Sequence, residues 1–285
     1  MVAALPPIDL TTLKRHANTI RRETFIIGHR VKHGHLGSSL SPIDILSALY
    51  FWFMRVDPNN PTDPARDRFI LSKGHACLSL YVSLWLRGFF KKTELDTFLR
   101  DGSLFAGHAH HHLPGVEAST GSLGHGLSLA TGMAYAGRID NAAYRVVTIL
   151  SDGECDEGST WEAALSAGHH KLDNLIAIVD YNKLQAYGFT KDVLDLEPFA
   201  QKWEAFGWAV REINGHDLTA ITETLASLPF TPGKPSVVIA HTTKGKDMPL
   251  LENTVESHYL SPTDEQLAQA LATLDAELAR IEQNV

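Results

Sequence analysis

The chain has 285 residues, a formal net charge of −8 and a sequence pI of about 6.0. It contains no run of Lys and Arg that could neutralise a phosphate backbone, which argues against a general nucleic-acid binder. Two cysteines, Cys77 and Cys155, are too few for a disulfide framework or a metal quartet and favour a reduced, cytoplasmic setting.

Helical and strand patterns alternate along the chain. Helices are predicted over 10–31, 42–54, 76–87, 92–100, 127–138, 157–171, 197–206, 217–227 and 264–283. Strands are predicted over 67–71, 144–150, 175–181, 208–213 and 236–241. Strands that alternate with helices indicate an α/β fold, a doubly wound and mostly parallel sheet with helices on both faces.

Two of the predicted helices carry signals for where they begin. The helix over 42–54 has Ser41 as its N-cap and Pro42 at its first position. The helix over 92–100 has Thr93 as its cap. We therefore expect both helices to begin at these residues.

The N-terminal residues, the most apolar segment and the even composition predict a single domain without a signal peptide or a membrane span. The first residues, MVAALPP, lack the basic segment and long apolar core of a signal peptide, so export is not expected. The most apolar segment, 45–54, is far shorter than the ~20 residues that cross a bilayer. No change in composition divides the sequence, so we expect one domain over 1–285, with N-terminal helices within 1–60 and a C-terminal helix over 264–283.

Polar residues follow two neighbouring strands of the predicted sheet. One strand leads into SDGECDEG at 151–158, and the next leads into NKL at 182–184. Parallel strands joined by one helix end at the same edge of a sheet, so Asp152 and Asn182 should lie side by side. A carboxylate and an amide oxygen suit a hard cation such as Mg²⁺. The helix that opens near Glu157 suits a phosphate, because its first N–H groups are free and its dipole end is positive.

Six of the fifteen histidines lie in Gly-rich surroundings, namely His33, His35, His75, His108, His125 and His258. Taken alone, each would be interpreted as a surface or hydrogen-bonded structural residue. A long loop over 102–126 carries several of them, and loops of that length inside compact domains are usually functional. The motifs are GHLG at 34–37, LSKGHA at 71–76, GH at 107–108 followed by LPGVE at 113–117, and TGSLGHG at 120–126.

These motifs together resemble a known family. The acidic turn followed by Asn182 resembles the thiamine diphosphate-binding signature, with Ser151 in place of the usual first Gly. The histidine motifs resemble those of transketolases in order and approximate spacing. The resemblance runs from about Gly34 to His258 and is to the N-terminal, diphosphate-binding section of a transketolase.

The resemblance implies a cofactor, a metal ion and residues that hold them. Mg²⁺, or Ca²⁺ or Mn²⁺ in its place, would be bound by Asp152, the Asn182 side chain and the Leu184 carbonyl. Thiamine diphosphate would be bound through its diphosphate by His75, Gly153 and His258, and its aminopyrimidine ring would lie against Gly121, Ser122 and Leu123.

The resemblance also implies which residues act in the reaction. His35 and His258 would move protons at the substrate hydroxyl and the incoming aldehyde, since an imidazole can take and return a proton within one turnover. His108 would hydrogen-bond to the first hydroxyl of the donor sugar. Glu157 would reach towards a neighbouring chain at the cofactor, or it is a first-turn glutamate favoured by the helix dipole.

Several residues depart from the family pattern or carry a structural interpretation. The family usually has acidic and aromatic residues where this chain has a histidine run at 110–112. We interpret that run as solvated loop residues, because a zinc site there would need further ligands. Cys155 is expected to pack as a small apolar residue. Trp161, Trp203 and Trp208 are expected to be core or interface aromatics.

The resemblance implies a two-chain enzyme. After HTTKGK at 241–246, which resembles the end of the diphosphate-binding domain, only 247–285 remain. The second, pyrimidine-binding domain is therefore expected on a separate C-terminal transketolase subunit, with self-association across a dimer. The reaction implied is transfer of a two-carbon ketol unit from a ketose, expected to be a sugar phosphate, to an aldose. The alternatives are the alpha subunit of a 2-oxo acid dehydrogenase, which lacks these motifs as a set, and a non-catalytic scaffold subunit.

Overall fold

The computed structural model describes residues 5–283. Residues 1–4 and 284–285 lie outside the described residues. They include the start of the segment considered as a signal peptide and both ends of the expected domain. The helices are α1 (Leu10–Arg30), α2 (Leu36–Leu40), α3 (Ile43–Ala48), α4 (Cys77–Arg87), α5 (Lys92–Leu95), α6 (Gly126–Ile139), α7 (Gly158–His169), α8 (Thr190–Val193), α9 (Phe199–Ala205), α10 (Leu218–Ala226) and α11 (Asp264–Gln283). The strands are β1 (Arg68–Leu71), β2 (Val146–Ser151), β3 (Leu175–Tyr181), β4 (Ala209–Asn214) and β5 (Ser236–His241).

The five strands form one parallel sheet in the order β1-β2-β3-β5-β4. Alternate residues of β2 enter two separate cores: Val147 and Ile149 pack on one side of the sheet, and Val146 and Leu150 on the other. Because both faces are covered, the central strands are continuous apolar runs, as buried parallel strands require. The predicted doubly wound α/β fold is confirmed.

The two cores are formed by different helices. The first takes buried side chains from α1 to α4 and from α10, and the second takes them from α6, α7 and α9. Trp203 and Trp208 are buried in the second core, and Trp161 packs against it. Cys155 is buried there too, and its burial raises the pKa of the thiol well above the usual range. The core interpretation of these four residues is confirmed.

The N-cap predicted for the second helix is wrong. The Ser41 hydroxyl donates to Asp180 at 2.6 Å, and α3 begins after Pro42 without a side-chain cap. The helix also changes to a π-helix over Leu49–Phe53, which the apolar pattern does not show. A further short helix, α2, was not predicted, because its GSS stretch consists of weak helix formers.

The helix predicted over 92–100 is much shorter, and its Thr93 cap is wrong. The structure has α5 over Lys92–Leu95, preceded by Lys91, whose N–H donates to the Glu94 carboxylate at 2.8 Å. Further along, Leu99 adopts a positive φ of 58° and its N–H donates to the Phe105 carbonyl, so the chain turns away from the helical path. The apolar spacing predicts neither the start of α5 after Lys91 nor the turn at Leu99.

Within residues 5–283, no helix combines the length and the apolar character that crossing a bilayer demands.

Candidate active site

A cavity of about 300 Å³ opens at the carboxyl ends of β1, β2 and β3. Ten of the twelve predicted site residues line it, namely His35, His75, His108, Gly121, Leu123, Asp152, Gly153, Asn182, Leu184 and His258. Ser122 and Glu157 are exposed beside the cavity and do not line it. Glu157 is the residue immediately before α7, and its side chain does not cap that helix.

Asp152 and Asn182 lie next to each other because β2 and β3 pair in parallel, with Ser151 opposite Asp180. The Asp152 carboxylate accepts the N–H of Gly153 at 2.7 Å and that of Lys183 at 2.5 Å. The chain after β3 is thereby fixed against the chain after β2. The structure thus brings the two side chains proposed as cation ligands to one point at the edge of the sheet.

The charge of Asp152 fits a cation at this point. The residue is 2% exposed, and burial first, then the nearby Asp180, raises the pKa of its carboxyl to about 6. In the described part of the chain its carboxylate makes no salt bridge. A buried carboxylate without a direct ion pair is costly, and a divalent cation held by carboxylate, amide and carbonyl oxygens would offset that cost.

The third proposed ligand is already hydrogen-bonded in the structure. The Leu184 carbonyl accepts the Lys244 ammonium at 2.9 Å, and the Leu184 N–H donates to Asn182 Oδ1 at 3.1 Å. A carbonyl oxygen has two lone pairs, so one remains for a cation. Among residues 5–283, no cluster of three His, Cys, Asp or Glu side chains has a metal-binding arrangement, the histidine run at 110–112 included.

Two buried lysines line the same cavity and were not among the predicted site residues. Lys73, 1% exposed, pairs with the fully buried Asp180, which also accepts the hydroxyls of Ser41 and Thr242. Lys244 is 2% exposed, and burial first, then Lys73, lowers the pKa of its ammonium to about 8. Lys73 lies inside the LSKGHA motif and Lys244 inside HTTKGK. The motifs do not indicate that these two lysines are buried, which is why they were not predicted as site residues.

Histidines form the other side of the cavity. The ring centroid of His35 lies 5.1 Å from His258, 5.3 Å from His75 and 5.7 Å from both His108 and His33. Burial first, then Lys244, lowers the pKa of His258 to about 3, and burial also lowers the pKa of His35 and His75. These three imidazoles are therefore neutral near pH 7.

Close backbone approaches hold this cluster together. A Cβ at Gly37 would lie 2.5 Å from the Ser257 carbonyl, so only glycine lets the segment after His35 touch the turn before His258. Gly121 has a φ of 155°, and a Cβ there would lie 2.9 Å from the His108 ring. Packing thus requires both glycines, and at Gly121 the backbone conformation requires glycine as well.

The parallel sheet thus gathers two buried lysines, a buried carboxylate and neutral imidazoles at its strand ends, the edge where open α/β sheets bind ligands. Residues 12–279 match the family model described as transketolase, thiamine diphosphate binding domain. The chain belongs to this family.

Similar proteins include chains of about the same length that are named transketolase subunits, and longer transketolases. The chain is 41% identical over 275 residues to an apulose-4-phosphate transketolase subunit of Phocaeicola vulgatus, covering 96% of this chain and 98% of the relative. It is 43% identical over 266 residues to the 6-deoxy-6-sulfo-D-fructose transketolase subunit SqwG of a Clostridium species, covering 93% and 97%. The crystal structure of the Campylobacter jejuni transketolase superposes with a TM-score of 0.89 at 31% identity, covering 96% of this chain and 46% of that one.

Proposed function

We propose that the chain is the thiamine diphosphate-binding subunit of a transketolase and transfers a two-carbon ketol unit from a phosphorylated ketose to an aldose. The observation that carries the proposal is the convergence of a carboxylate–amide pair, two buried lysines and four imidazoles in one cavity. Similarity to proteins named as transketolase subunits, over nearly their whole length, supports the assignment to a two-component enzyme.

The diphosphate half of the site would be held by charges that the chain already buries. Lys73, Lys244, His75 and His258 face the cavity and would donate to the diphosphate oxygens, with the Gly153 N–H beside them. Asp152, the Asn182 amide and the Leu184 carbonyl would bind Mg²⁺. A cavity with two buried ammoniums suits a ligand of high negative charge, which fits thiamine diphosphate better than a neutral sugar.

When bound, thiamine diphosphate supplies the carbon nucleophile that attacks a ketose carbonyl. The neutral imidazoles of His35 and His258 would accept and return the protons of the substrate hydroxyl and of the aldehyde oxygen. His108, exposed at the mouth of the cavity, would hydrogen-bond to the first hydroxyl of the donor. The turn at Gly121 and Leu123 would contact the aminopyrimidine ring, and Glu157 would face a neighbouring chain.

The partner is proposed to be a separate C-terminal subunit that carries the pyrimidine-binding domain. The names of the two similar proteins above contain the word subunit, and the complete Campylobacter jejuni enzyme is about twice as long as the matched region. The two cysteines are both free and buried, which is compatible with the proposed cytoplasmic location.

The test is reconstitution. The chain would be purified alone and with the co-expressed partner subunit, and each sample would be given thiamine diphosphate, Mg²⁺, a panel of phosphorylated ketoses and an aldose. We expect the complex to form a new ketose, detected by mass spectrometry, and the single chain to form none. Ketol transfer by the single chain at a rate that the partner leaves unchanged would contradict the proposal.

The same assay, with a 2-oxo acid added to the panel of donors, separates the alternatives. Decarboxylation of a 2-oxo acid without ketol transfer would identify the alpha subunit of a 2-oxo acid dehydrogenase. A complex that assembles but neither binds the cofactor nor turns over any donor would identify a scaffold subunit. The match to the transketolase family model over 12–279 favours neither alternative.

A further inference from the structure

Glu154 is a wholly buried glutamate that lies outside the cavity and has no role in the proposed reaction. It is the second residue after Asp152, in the 3₁₀ turn Gly153–Asp156. Within residues 5–283 no lysine, arginine or histidine forms a salt bridge with it. A carboxylate in such a place costs free energy unless several donors hold it, so its contacts indicate what it does.

Its carboxylate joins three segments of the cavity. One oxygen accepts the Gly124 N–H at 2.9 Å and also the Ser72 hydroxyl. The other oxygen accepts the Ser151 N–H at 3.4 Å, and the Glu154 N–H donates to the Ser151 hydroxyl at 3.2 Å. Glu154 is therefore fixed to the loop that carries Asp152 and, through the same side chain, to two other loops.

Each of those segments carries cavity residues. Ser72 directly precedes Lys73, and Gly124 closes the turn that begins at Gly121. Gly124 has a φ of 81°, and a Cβ there would lie 2.5 Å from the Ser159 hydroxyl, so this turn is packed tightly against the start of α7. Because the Glu154 carboxylate accepts the Gly124 N–H, a shift of the turn Gly153–Asp156 would move this acceptor relative to the turn at Gly124.

We propose that Glu154 is a positioning residue that couples the cation loop at 151–156 to the ring-binding turn at 121–124. The inference rests on the proposed function, because it assigns the cation and diphosphate to one end of the coupling and the aminopyrimidine ring to the other. Ligand binding at the cation loop orders the turn, and by reciprocity ordering of the turn strengthens binding at the cation loop.

Inorganic diphosphate with Mg²⁺ is a suitable probe, because it reproduces the charged part of the cofactor and has no ring to touch the turn. Amide hydrogen exchange of the full chain would be measured with and without this probe. We expect exchange to slow at 151–156 and, by about fivefold or more, at the Gly124 amide and its neighbours in 121–126. Any slowing in the turn must then be transmitted by the protein.

In Glu154→Ala the probe should still slow exchange at 151–156 but no longer at 121–126. Glu154→Gln keeps an acceptor for the Gly124 N–H and should retain most of the transmitted effect, and it serves as the test if the alanine variant does not fold. Thr160→Val is the matched control, because it removes only the hydrogen bond from the Thr160 hydroxyl to the Glu154 carbonyl, 2.9 Å long. This control should behave like the native chain.

Two results would overturn the inference, and they are distinguishable. If the probe slows exchange at 151–156 but leaves 121–126 unchanged in the native chain, or if Glu154→Ala transmits as well as Thr160→Val, the coupling role is wrong and the proposed function stands. If the probe slows exchange at neither segment, the cation and diphosphate assignment fails, and the coupling fails with it.

Discussion

His35 lies at the centre of the histidine cluster, in contact with four other imidazoles. Its ring lines the cavity, and the side chains proposed to hold the diphosphate are Lys73, Lys244, His75 and His258. We expect His35→Ala to leave cofactor affinity nearly unchanged and to lower kcat by roughly 10²-fold or more. Calorimetry and steady-state kinetics of the reconstituted complex check this. Equal losses of affinity and turnover would instead place His35 among the cofactor-binding groups.

Asp152 is the one charged ligand proposed for the cation. In Asp152→Ala we expect Mg²⁺-dependent binding of thiamine diphosphate to be lost, because the metal and diphosphate charges are no longer balanced. Calorimetry with and without Mg²⁺ measures the effect, and exposed Asp140→Ala serves as the control. Native affinity in the assembled Asp152→Ala complex would refute the metal assignment.

His33 should make the fold sensitive to acid. The ring is 4% exposed, its Nε2 has no hydrogen-bond partner, and burial first, then His35 and His108, lowers its pKa from 6.5 to about 4. Because the folded-state pKa lies below that of the unfolded chain, the unfolded chain binds the proton first as the pH falls. The free energy of unfolding therefore decreases from about pH 6.5 down to about pH 4.

The variant His33→Phe removes this effect and keeps an aromatic ring against Phe98, whose centroid lies 5.2 Å away. Between about pH 8 and about pH 5 we expect the native chain to lose about 2 kcal/mol more stability than the variant. Urea unfolding at the two pH values measures this difference. The same substitution at exposed His112 should leave the native pH dependence unchanged, and a similar change in both variants would show that His33 is not the group responsible.

Elements with a strong apolar period could be predicted from the sequence, and those set by distant contacts could not. All five strands and α11 were predicted because buried parallel strands and a long amphipathic helix have clear patterns. Helix α2 and the early end of α5 were missed, since one depends on packing of Gly37 against Ser257 and the other on the turn at Leu99. At the site, motifs predicted the lining residues, but Lys73 and Lys244 were missed because lysine is seldom buried.

Helices α6 and α7 pack against each other and present exposed apolar side chains on their outer surface. On α6 it contains Leu129, Tyr135 and Ile139, which are 42%, 42% and 63% exposed, and on α7 it contains Leu165, which is 57% exposed. A Cβ added at Gly132, in the same face, would meet no atom within 4 Å. An exposed apolar patch of this kind usually marks an interface.

We expect this α6–α7 face to be the contact of the proposed self-association. Ile139→Lys combined with Leu165→Lys should weaken pairing of two copies by roughly tenfold or more, because two large apolar side chains lose their burial. Analytical ultracentrifugation over a concentration series measures the dissociation constant. A control change at an exposed polar position of α7, Glu162→Gln, should have little effect. Unchanged pairing in the double lysine variant would exclude the face.

A second group of exposed apolar side chains, here called the rim, lies in the loop after β3 and over 250–260, the segments that bring Tyr187 and His258 to the cavity. Tyr187 and Leu250 are each 86% exposed, and Tyr259 and Leu260 are 55% and 51% exposed. The Tyr259 hydroxyl donates to the Ala186 carbonyl at 3.0 Å, so this rim joins the loop after β3 to the segment that carries His258. A rim of this composition around a charged cavity suits a partner that closes it and excludes water from the reaction.

The whole assembly is therefore expected to contain two copies of this chain and two of the partner subunit, joined through two different faces. Leu250→Lys with Leu260→Lys should abolish binding of the partner and leave pairs of this chain, because the rim and the α6–α7 face are separate surfaces. The Ile139→Lys and Leu165→Lys variant should instead give one-plus-one complexes. Native mass spectrometry distinguishes the two products by mass. If both variants gave the same product, a single face would serve both contacts. A native complex of one-plus-one would show that this chain does not pair with itself, and either result would make the two-plus-two arrangement wrong.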